Sequence, residues 1–331
     1  MKKIAKILDS INIYCYNDVY YFSKLKLFLY KVGTDMKKTL FEGVATALVT
    51  PMNSDGSVDY VALDKLVDWQ IKEGVSALVA CGTTGEASTL TDEEHRTVIA
   101  RVVEKADKRV PVIAGTGSND LDYALSLTKY ACDAGADAVL TVTPYYNKAT
   151  QAGLIKMYNI LADASKAPVI LYNVPTRTGV NIEPSTYKAL ADHENIIAIK
   201  EANGNISKIV ETMSYVNGKL DLYSGNDDQI VPLMALGGKG VISVVSNILP
   251  RKTSELCAKF LAGDIKGAAD IQYDLHAVID SLFSEVNPFP VKDAMAKMGF
   301  GTNTLRLPLT PMSEAKYEVM LGLMREQGLD V

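Results

Sequence analysis

The sequence has few of the residues that bind metal ions or form disulfides. Its four cysteines, Cys15, Cys81, Cys132 and Cys257, lie far apart without a CxxC pair, and its three histidines lie in separate segments. This spacing does not match a zinc knuckle, a redox dithiol or another metal-ligand cluster. We therefore expect no metal and no other cofactor. Few, widely separated cysteines are typical of proteins of the reducing cytoplasm, where we expect this protein to act.

Long apolar runs and an excess of positive charge are also missing. Lys and Arg number 34 against 39 Asp and Glu, which gives a net charge of −5. That balance is unlike the basic surface of proteins that bind nucleic acid or anionic membranes. No apolar run reaches the roughly 18 residues of a transmembrane helix. GxSxG, the Walker phosphate loop and a complete GxGxxG are absent as well. With 48% hydrophobic residues, the chain is predicted to be a globular protein that acts on small molecules.

Residues 1–35 differ in composition from the rest of the chain. They contain five of the seventeen tyrosines but a single Ala and a single Gly. Polar residues interrupt the apolar stretch and no small-residue cleavage site follows, so a signal peptide is not indicated. We expect a disordered or loosely attached extension without a catalytic role. Met36 begins a second start-like segment, so Met1 and Met36 are both candidate translation starts.

From Gly43 onward, short apolar runs alternate with amphipathic stretches. Continuous apolar runs are typical of parallel strands that are buried on both faces. The predicted strands are 44–50, 77–81, 111–115, 138–142, 169–172, 196–200, 221–223 and 240–244. The predicted helices between them include 60–73, 92–106, 121–134, 152–164 and 207–216. Asp59 and Thr91 lie at N-cap positions, and Thr91 with Glu94 forms a capping-box pattern.

Eight strand–helix units in about 220 residues predict an α/β fold of the TIM (β/α)8 barrel type. A doubly wound open sheet uses the same alternation, but it would need less even spacing and a nucleotide-binding glycine loop after the first strand. We therefore predict a barrel over residues 36–263. The alternation then stops, and 264–331 is predicted to be a C-terminal helical region with helices over 264–282, 290–298 and 313–328.

Lys200 is the most informative residue for chemistry, because it ends the apolar run that forms the sixth predicted strand. Active sites of TIM barrels lie at the C-terminal ends of the strands. Burial among apolar strands disfavours the charged form of an amine and frees its lone pair to attack a ketone, which gives a Schiff base. A lysine that pairs with an acid at a strand end is the alternative. Position alone leaves both interpretations open.

Other polar residues follow neighbouring strands. The loop Gly82–Glu86 reads GTTGE, and its two hydroxyls and turn amides suit a small carboxylate, although a simple tight turn is the alternative. Tyr172 and Tyr146 could transfer protons beside a reactive lysine or be core residues. Arg177 could grip a carboxylate or form a surface ion pair. The glycine run 237–240 precedes the eighth strand and is predicted to be structural.

Six segments occur in order at the predicted strand ends: GVATALVTP, CGTTGEASTL, VTPYYNK, YNVPTRTG, IIAIKEA and YSGND. Together they resemble the pyruvate-dependent class I aldolase family that includes dihydrodipicolinate synthase and N-acetylneuraminate lyase. The resemblance extends from about Phe41 to the C-terminus. The GTTGE loop and the arginine of YNVPTRTG resemble the synthase branch, since the lyases usually have serine at the first threonine and lack that arginine.

The resemblance implies a reaction. Lys200 would form an imine with pyruvate, and the derived enamine would attack the aldehyde of L-aspartate-4-semialdehyde to give 4-hydroxy-tetrahydrodipicolinate, in the first committed step of the diaminopimelate route to lysine. The alternative is a retro-aldol lyase that cleaves a 2-keto-3-deoxy sugar acid or N-acetylneuraminate with the same lysine. A barrel that binds a carboxylate metabolite without catalysis is a third reading, and the presence of both Lys200 and Tyr172 disfavours it.

The resemblance also implies residue roles. Tyr172 would be the proton donor and acceptor, in a relay with Thr84 and with Tyr146 from a neighbouring subunit of a homotetramer built from two tight dimers. The expected substrate-binding groups are Thr83, Thr84, Arg177, Gly225 and the backbone of Ile242, with Arg177 on the semialdehyde carboxylate.

A possible regulatory pocket for lysine contains His95, Asn119 and Tyr145. The position of the acidic residue in lysine-sensitive relatives is Tyr123 here, so we expect weak or no inhibition by lysine. Asp92 and Asp122 are the nearby candidates to replace that acid.

Overall fold

Eight parallel strands form a closed barrel in the computed structural model, which describes residues 37–216 and 218–331. Each strand pairs with the next in the chain, and the last pairs with the first in the register Gly43 to Gly240. The strands are β1 Gly43–Ala47, β2 Ala77–Ala80, β3 Val112–Gly115, β4 Ala138–Val142, β5 Val169–Asn173, β6 Ile196–Glu201, β7 Asp221–Ser224 and β8 Gly240–Ser243. This confirms the TIM-barrel prediction. The predicted extension 1–35 lies outside the described residues.

Helices follow the strands and surround the barrel. They are α1 Tyr60–Lys72, α2 Asp92–Ala106, α3 Leu121–Asp133, α4 Gln151–Ala164, α5 Pro175–Thr178, α6 Pro184–Leu190, α7 Ile206–Val216, α8 Ile230–Ala235 and α9 Pro250–Leu261. The predicted capping box is present at α2, where the Thr91 hydroxyl accepts from the Glu94 N–H and the Glu94 carboxylate accepts from the Thr91 N–H. The sequence pattern does not single out α5 and α6, because a helix of four or seven residues is too short to show a helical period.

The inside of the barrel is a packed core, as expected for this fold. Its N-terminal end is closed by Phe41, whose ring stacks on Tyr223 with centroids 4.2 Å apart. The Tyr223 hydroxyl donates to the Phe41 carbonyl at 2.7 Å. At the same end, a Cβ on Gly240 would lie 1.8 Å from the Gly43 carbonyl oxygen, so only glycine lets β8 approach β1 there. Gly240, the last residue of the run 237–240, therefore has the predicted structural role.

Three further helices follow the barrel: α10 Ile265–Leu282, α11 Phe289–Lys297 and α12 Glu314–Glu326. They confirm the predicted C-terminal helical region, with ends within two residues of the predicted ones. Residues 38–331 form a single compact unit, so the boundary at residue 263 marks a change of architecture. Within the described ranges, none of the helices has both the length and the apolar character needed to cross a membrane.

Candidate active site

Lys200 lies near the C-terminal end of β6 and is buried, with 6% of its surface exposed. It is the register partner of Tyr172 on β5, and its Nζ lies 4.2 Å from the centroid of the Tyr172 ring. None of the ion pairs between described residues includes Lys200. The structure therefore favours a buried amine beside a phenol over the alternative of a lysine paired with an acid.

Gly225 follows β7 and makes room for this lysine. A Cβ at Gly225 would lie 2.8 Å from the Ala202 Cβ and 3.2 Å from the Lys200 Cγ. The Gly225 N–H also donates to the Glu201 carbonyl at 2.7 Å. Any side chain at this position would push against the stem of Lys200, which explains why glycine is required beside it. Ile242, on β8, is completely buried.

Asp227 comes two residues after Gly225 and is buried with 2% exposure. Its Oδ2 accepts from the backbone N–H groups of Val244 and Val245 at 2.9 and 2.8 Å, which fixes the loop after β8. Burial raises the pKa of Asp227, while its hydrogen bonds and the charge of Lys200 lower it. Sequence reasoning missed this residue, although it is the last letter of the YSGND segment.

The GTTGE loop follows β2 and its polar groups are held in place. Thr84 is 3% exposed, and its hydroxyl accepts from the Asn287 Nδ2 at 3.1 Å. The Gly85 carbonyl accepts from the Thr50 hydroxyl at 2.7 Å. Glu86 has a φ of +56° and forms an ion pair with Lys292 in which both side chains are buried. The predicted carboxylate loop is thus rigid, and it is fixed by residues that the sequence motif does not contain.

A cavity of about 250 Å³ opens at this end of the barrel. The side chains of Thr83, Tyr172 and Arg177 line it, together with predicted regulatory residues His95 and Tyr145. Asn119 lies beside it, because its Nδ2 donates to the Tyr145 carbonyl at 3.3 Å. The structure therefore brings Thr83, Tyr172 and Arg177 to the same cavity as two of the regulatory candidates. Lys200 and Thr84 are not among its lining residues, although the Lys200 amine adjoins the Tyr172 ring. Within residues 37–216 and 218–331, no group of His, Cys, Asp and Glu is arranged to hold a metal ion.

Arg177 and Tyr146 occupy the edge of the site. Arg177 is exposed, and its Nη2 donates to the Asn287 carbonyl at 2.9 Å instead of forming a surface ion pair. Tyr146 is 91% exposed and has a φ of +70°. A tyrosine in the left-handed region costs about 1–2 kcal/mol. Its side chain lies in solvent, so a single chain does not bring Tyr146 to Lys200.

The regulatory candidates are already engaged in contacts. Burial lowers the pKa of His95, and its Nε2 lies 2.8 Å from the Gly115 carbonyl, to which a neutral ring with Nε2–H can donate. The Tyr123 hydroxyl hydrogen-bonds the Asp92 carboxylate, which also accepts from the Arg96 guanidinium at 2.8 Å. The nearby acid is therefore satisfied within the chain.

Glu201 lies next to Lys200 in sequence but points to the outer side of the barrel. Its carboxylate accepts from the Tyr187 hydroxyl, the Asn173 side chain and the Asn203 N–H, each at 2.9 Å. Burial raises the pKa of Glu201 from 4.5 to about 7, and these hydrogen bonds offset only part of that rise. The carboxyl therefore gains a proton in the folded protein near neutral pH.

We expect Glu201→Gln to remove part of the pH dependence of stability. Between pH 4.5 and 7, Glu201 holds a proton in the folded protein that it has lost in the unfolded chain. The contribution of Glu201 therefore lowers the free energy of unfolding as the pH rises through this window. The full effect is about 3 kcal/mol. Denaturant unfolding at both ends of the window measures it. Glu194→Gln, on an exposed glutamate, is the control. An unchanged pH dependence in Glu201→Gln would contradict the assignment.

Comparison with known proteins assigns the family. Residues 40–326 match the sequence profile of the Dihydrodipicolinate synthetase family. The chain belongs to this family. It is 53% identical over 294 residues to a 4-hydroxy-tetrahydrodipicolinate synthase of Acetivibrio thermocellus. The aligned region covers 89% of this chain and all of that relative. A protein with the same name from Lachnoclostridium phytofermentans is 52% identical over 88% of this chain and 99% of its own.

Solved structures of the family have the same fold. Dihydrodipicolinate synthase from Thermotoga maritima superimposes with a TM-score of 0.86 at 42% identity, over 88% of this chain and 99% of that one. The enzyme from Acinetobacter baumannii, solved in complex with pyruvate, superimposes with a TM-score of 0.85 at 46% identity over the same shares. The family resemblance read from the six sequence segments is thereby confirmed.

Proposed function

We propose that this chain is a 4-hydroxy-tetrahydrodipicolinate synthase that condenses pyruvate with L-aspartate-4-semialdehyde through an imine on Lys200. The observation that carries the proposal is the buried Lys200 amine, which has the Tyr172 ring 4.2 Å away and forms no ion pair with a carboxylate among the described residues. A lysine in such a site can attack a ketone. The identity of about 50% to named synthases over nearly their full length supports the same reaction.

The steps balance without a cofactor. The Lys200 amine attacks the pyruvate keto carbon and water leaves, which gives the imine. Loss of a methyl proton gives an enamine, and its carbon forms a bond to the aldehyde carbon of the semialdehyde, whose oxygen takes up a proton. The amino group of the second substrate then attacks the imine carbon, which closes the ring, releases 4-hydroxy-tetrahydrodipicolinate and returns Lys200 as the free amine.

The protein groups around Lys200 suit these proton transfers. We assign Tyr172 as the proton donor and acceptor, because its phenol lies beside the amine, and Thr84 as the next group of a relay. Tyr146 would complete that relay from a neighbouring subunit. Its strained, exposed position in the single chain supports this role. The assembly of two tight dimers into a homotetramer is carried over from the family resemblance.

Carboxylate binding divides between two loops. Thr83 and Thr84 would hold the pyruvate carboxylate, with Gly225 and the Ile242 backbone nearby. Arg177, at the mouth of the cavity, would hold the carboxylate of the semialdehyde, for which a guanidinium is well suited. The described cysteines are all free, as is usual for an enzyme of the reducing cytoplasm, where we place the protein.

A coupled assay tests the reaction. The protein is mixed with pyruvate and L-aspartate-4-semialdehyde, and a dihydrodipicolinate reductase reports the product through loss of NADPH absorbance. Parallel samples contain N-acetylneuraminate or a 2-keto-3-deoxy sugar acid, with lactate dehydrogenase to detect released pyruvate. We expect activity in the first assay only. Pyruvate release without any condensation would instead identify a retro-aldol lyase.

We expect Arg177→Ala to damage use of the semialdehyde much more than use of pyruvate. Loss of a charge-assisted contact of about 1.5–3 kcal/mol predicts at least a tenfold fall in kcat/KM for the semialdehyde. The rate of pyruvate imine formation should change by less than about twofold, since that carboxylate is bound by the GTTGE loop. Steady-state kinetics and imine trapping measure the two effects. Equal losses in both would show that Arg177 does not select the second substrate.

We expect lysine to be a weak inhibitor or none at all. Asp92, one of the two acids near Tyr123, is already engaged by Arg96 and Tyr123, so it is less available to a bound lysine ammonium. Losing that charge-assisted bond weakens binding more than tenfold. The test is a lysine titration of the condensation rate, with Tyr123→Glu as the variant expected to gain sensitivity. Strong inhibition of the unchanged protein below millimolar lysine would overturn the expectation.

A further inference from the structure

The segment that begins α11 returns to the mouth of the barrel and contacts both substrate-binding loops. Asn287 is 5% exposed, and its Nδ2 donates to the Thr84 hydroxyl at 3.1 Å. Its backbone carbonyl accepts from the Arg177 Nη2 at 2.9 Å. One turn further on, Lys292 forms the buried ion pair with Glu86. One short segment of the C-terminal region therefore fixes the loop after β2 and also holds the loop after β5.

The Asn287 contact restricts the orientation of the Thr84 hydroxyl. A hydroxyl has one proton and two acceptor lone pairs. Because the amide N–H of Asn287 occupies a lone pair of Thr84, the hydroxyl proton is left for another acceptor. Thr84 is 3% exposed, so bulk water has little access to it. The proton is therefore available to the substrate carboxylate or to Tyr172.

A second observation indicates that Asn287 is not present for packing alone. Its Oδ1 is buried and has no hydrogen-bond partner among the described residues. An unsatisfied buried acceptor destabilises the fold, a cost that an apolar side chain would avoid. Buried polar groups of this kind require an explanation, and a role at an adjacent site is one of the few available.

We propose that Asn287 is a positioning residue of the active site, which orients the Thr84 hydroxyl as a donor and joins the pyruvate-binding loop to Arg177. This proposal rests on the proposed function. Asn287 acts through Thr84 and Arg177 and does not itself take part in the chemistry. The helical region after the barrel thus contributes to substrate geometry.

Asn287→Ala tests the first of these contacts by itself, because the backbone carbonyl that holds Arg177 remains. We expect the rate of pyruvate imine formation, per folded enzyme, to fall about tenfold, equal to about 1.4 kcal/mol. KM for the semialdehyde should stay within about twofold. Borohydride trapping at short reaction times measures imine formation, and circular dichroism measures the folded fraction. If Asn287→Ala does not fold, Asn287→Ser replaces it, since serine is too short to reach Thr84.

A double-mutant cycle separates positioning from a general loss of structure. In the background of Thr84→Val, which lacks the hydroxyl, Asn287→Ala should change the imine rate by less than about twofold. The matched control is Asn195→Ala. That side chain donates to three backbone carbonyls at the opposite end of the barrel, so its loss should leave the rate within about twofold.

Three outcomes would overturn the proposal for Asn287: an unchanged imine rate in Asn287→Ala, an undiminished tenfold loss in the Thr84→Val background, or an equal loss in Asn195→Ala. Failure of the unchanged protein to form any imine would refute the proposed function, and the role of Asn287 with it. The experiment therefore distinguishes the two failures.

Discussion

Replacing Lys292 with methionine is expected to lower the free energy of unfolding by about 3–5 kcal/mol. The Lys292 and Glu86 side chains are 2% and 0% exposed and form an ion pair, while the second Glu86 oxygen has no partner among the described residues. Burial lowers the pKa of Lys292, and its contact with Glu86 opposes that change. Methionine has a similar volume, so the variant leaves a buried carboxylate without its cation and adds little cavity. Denaturant unfolding measures the loss.

The control is the double variant Lys292→Met with Glu86→Met, which removes both charges. Replacing a whole buried pair by apolar residues is often close to neutral, so the double variant should be more stable than Lys292→Met alone. Lys166→Met breaks an exposed pair with Asp133 and should leave the unfolding midpoint nearly unchanged. A Lys292→Met protein as stable as the unchanged one would contradict a stabilising role for the buried ion pair.

Lys200→Arg is expected to lower kcat at least a thousandfold. Arginine keeps the positive charge, but its guanidinium stays protonated and cannot supply the lone pair that attacks the ketone. Loss of a covalent nucleophile removes the intermediate and not merely a binding contact. The coupled condensation assay measures the effect, with circular dichroism to verify the fold.

The matched control for this variant is Lys259→Arg, on a half-exposed lysine of α9 that pairs with Asp264. It should keep full activity, because α9 lies outside the strand ends that form the site. A Lys200→Arg protein with more than about a tenth of the original kcat would exclude an imine on Lys200 as the main route.

The barrel could be predicted because its strands leave a strong local pattern. Most residues of the eight strands are buried and apolar, although polar residues such as Thr46, Thr141 and Asp221 occur among them. Lys200 could be placed at the mouth of the barrel because it ends the sixth apolar run. Tyr172 could be placed beside it because it ends the preceding strand, which is adjacent in the barrel. The predicted sixth strand stops at Lys200, because a carboxylate is rarely buried in an apolar strand. In the structure, β6 extends one residue further and includes Glu201.

The remaining site residues depend on contacts between distant segments. Asn287 and Lys292 are more than 200 residues from their partners in the GTTGE loop, and neither belongs to a motif at that spacing. Nothing in a local window indicates that Glu86 is paired in the interior. The burial of Glu201 likewise depends on Tyr187 and Asn173, which come from α6 and β5. The exposure of Tyr146 depends on the conformation of the loop after β4, which a local sequence pattern does not show.

The most direct test of the proposed chemistry is to trap the imine. The unchanged protein is incubated with pyruvate, reduced with sodium borohydride, digested and analysed by mass spectrometry, with a sample lacking pyruvate as the control. Reduction converts the imine to a stable secondary amine, so the modified lysine can be identified in its peptide. We expect the pyruvate-derived modification on Lys200, with no other lysine modified to a comparable extent. Modification of a different lysine, or of none, would contradict the mechanism.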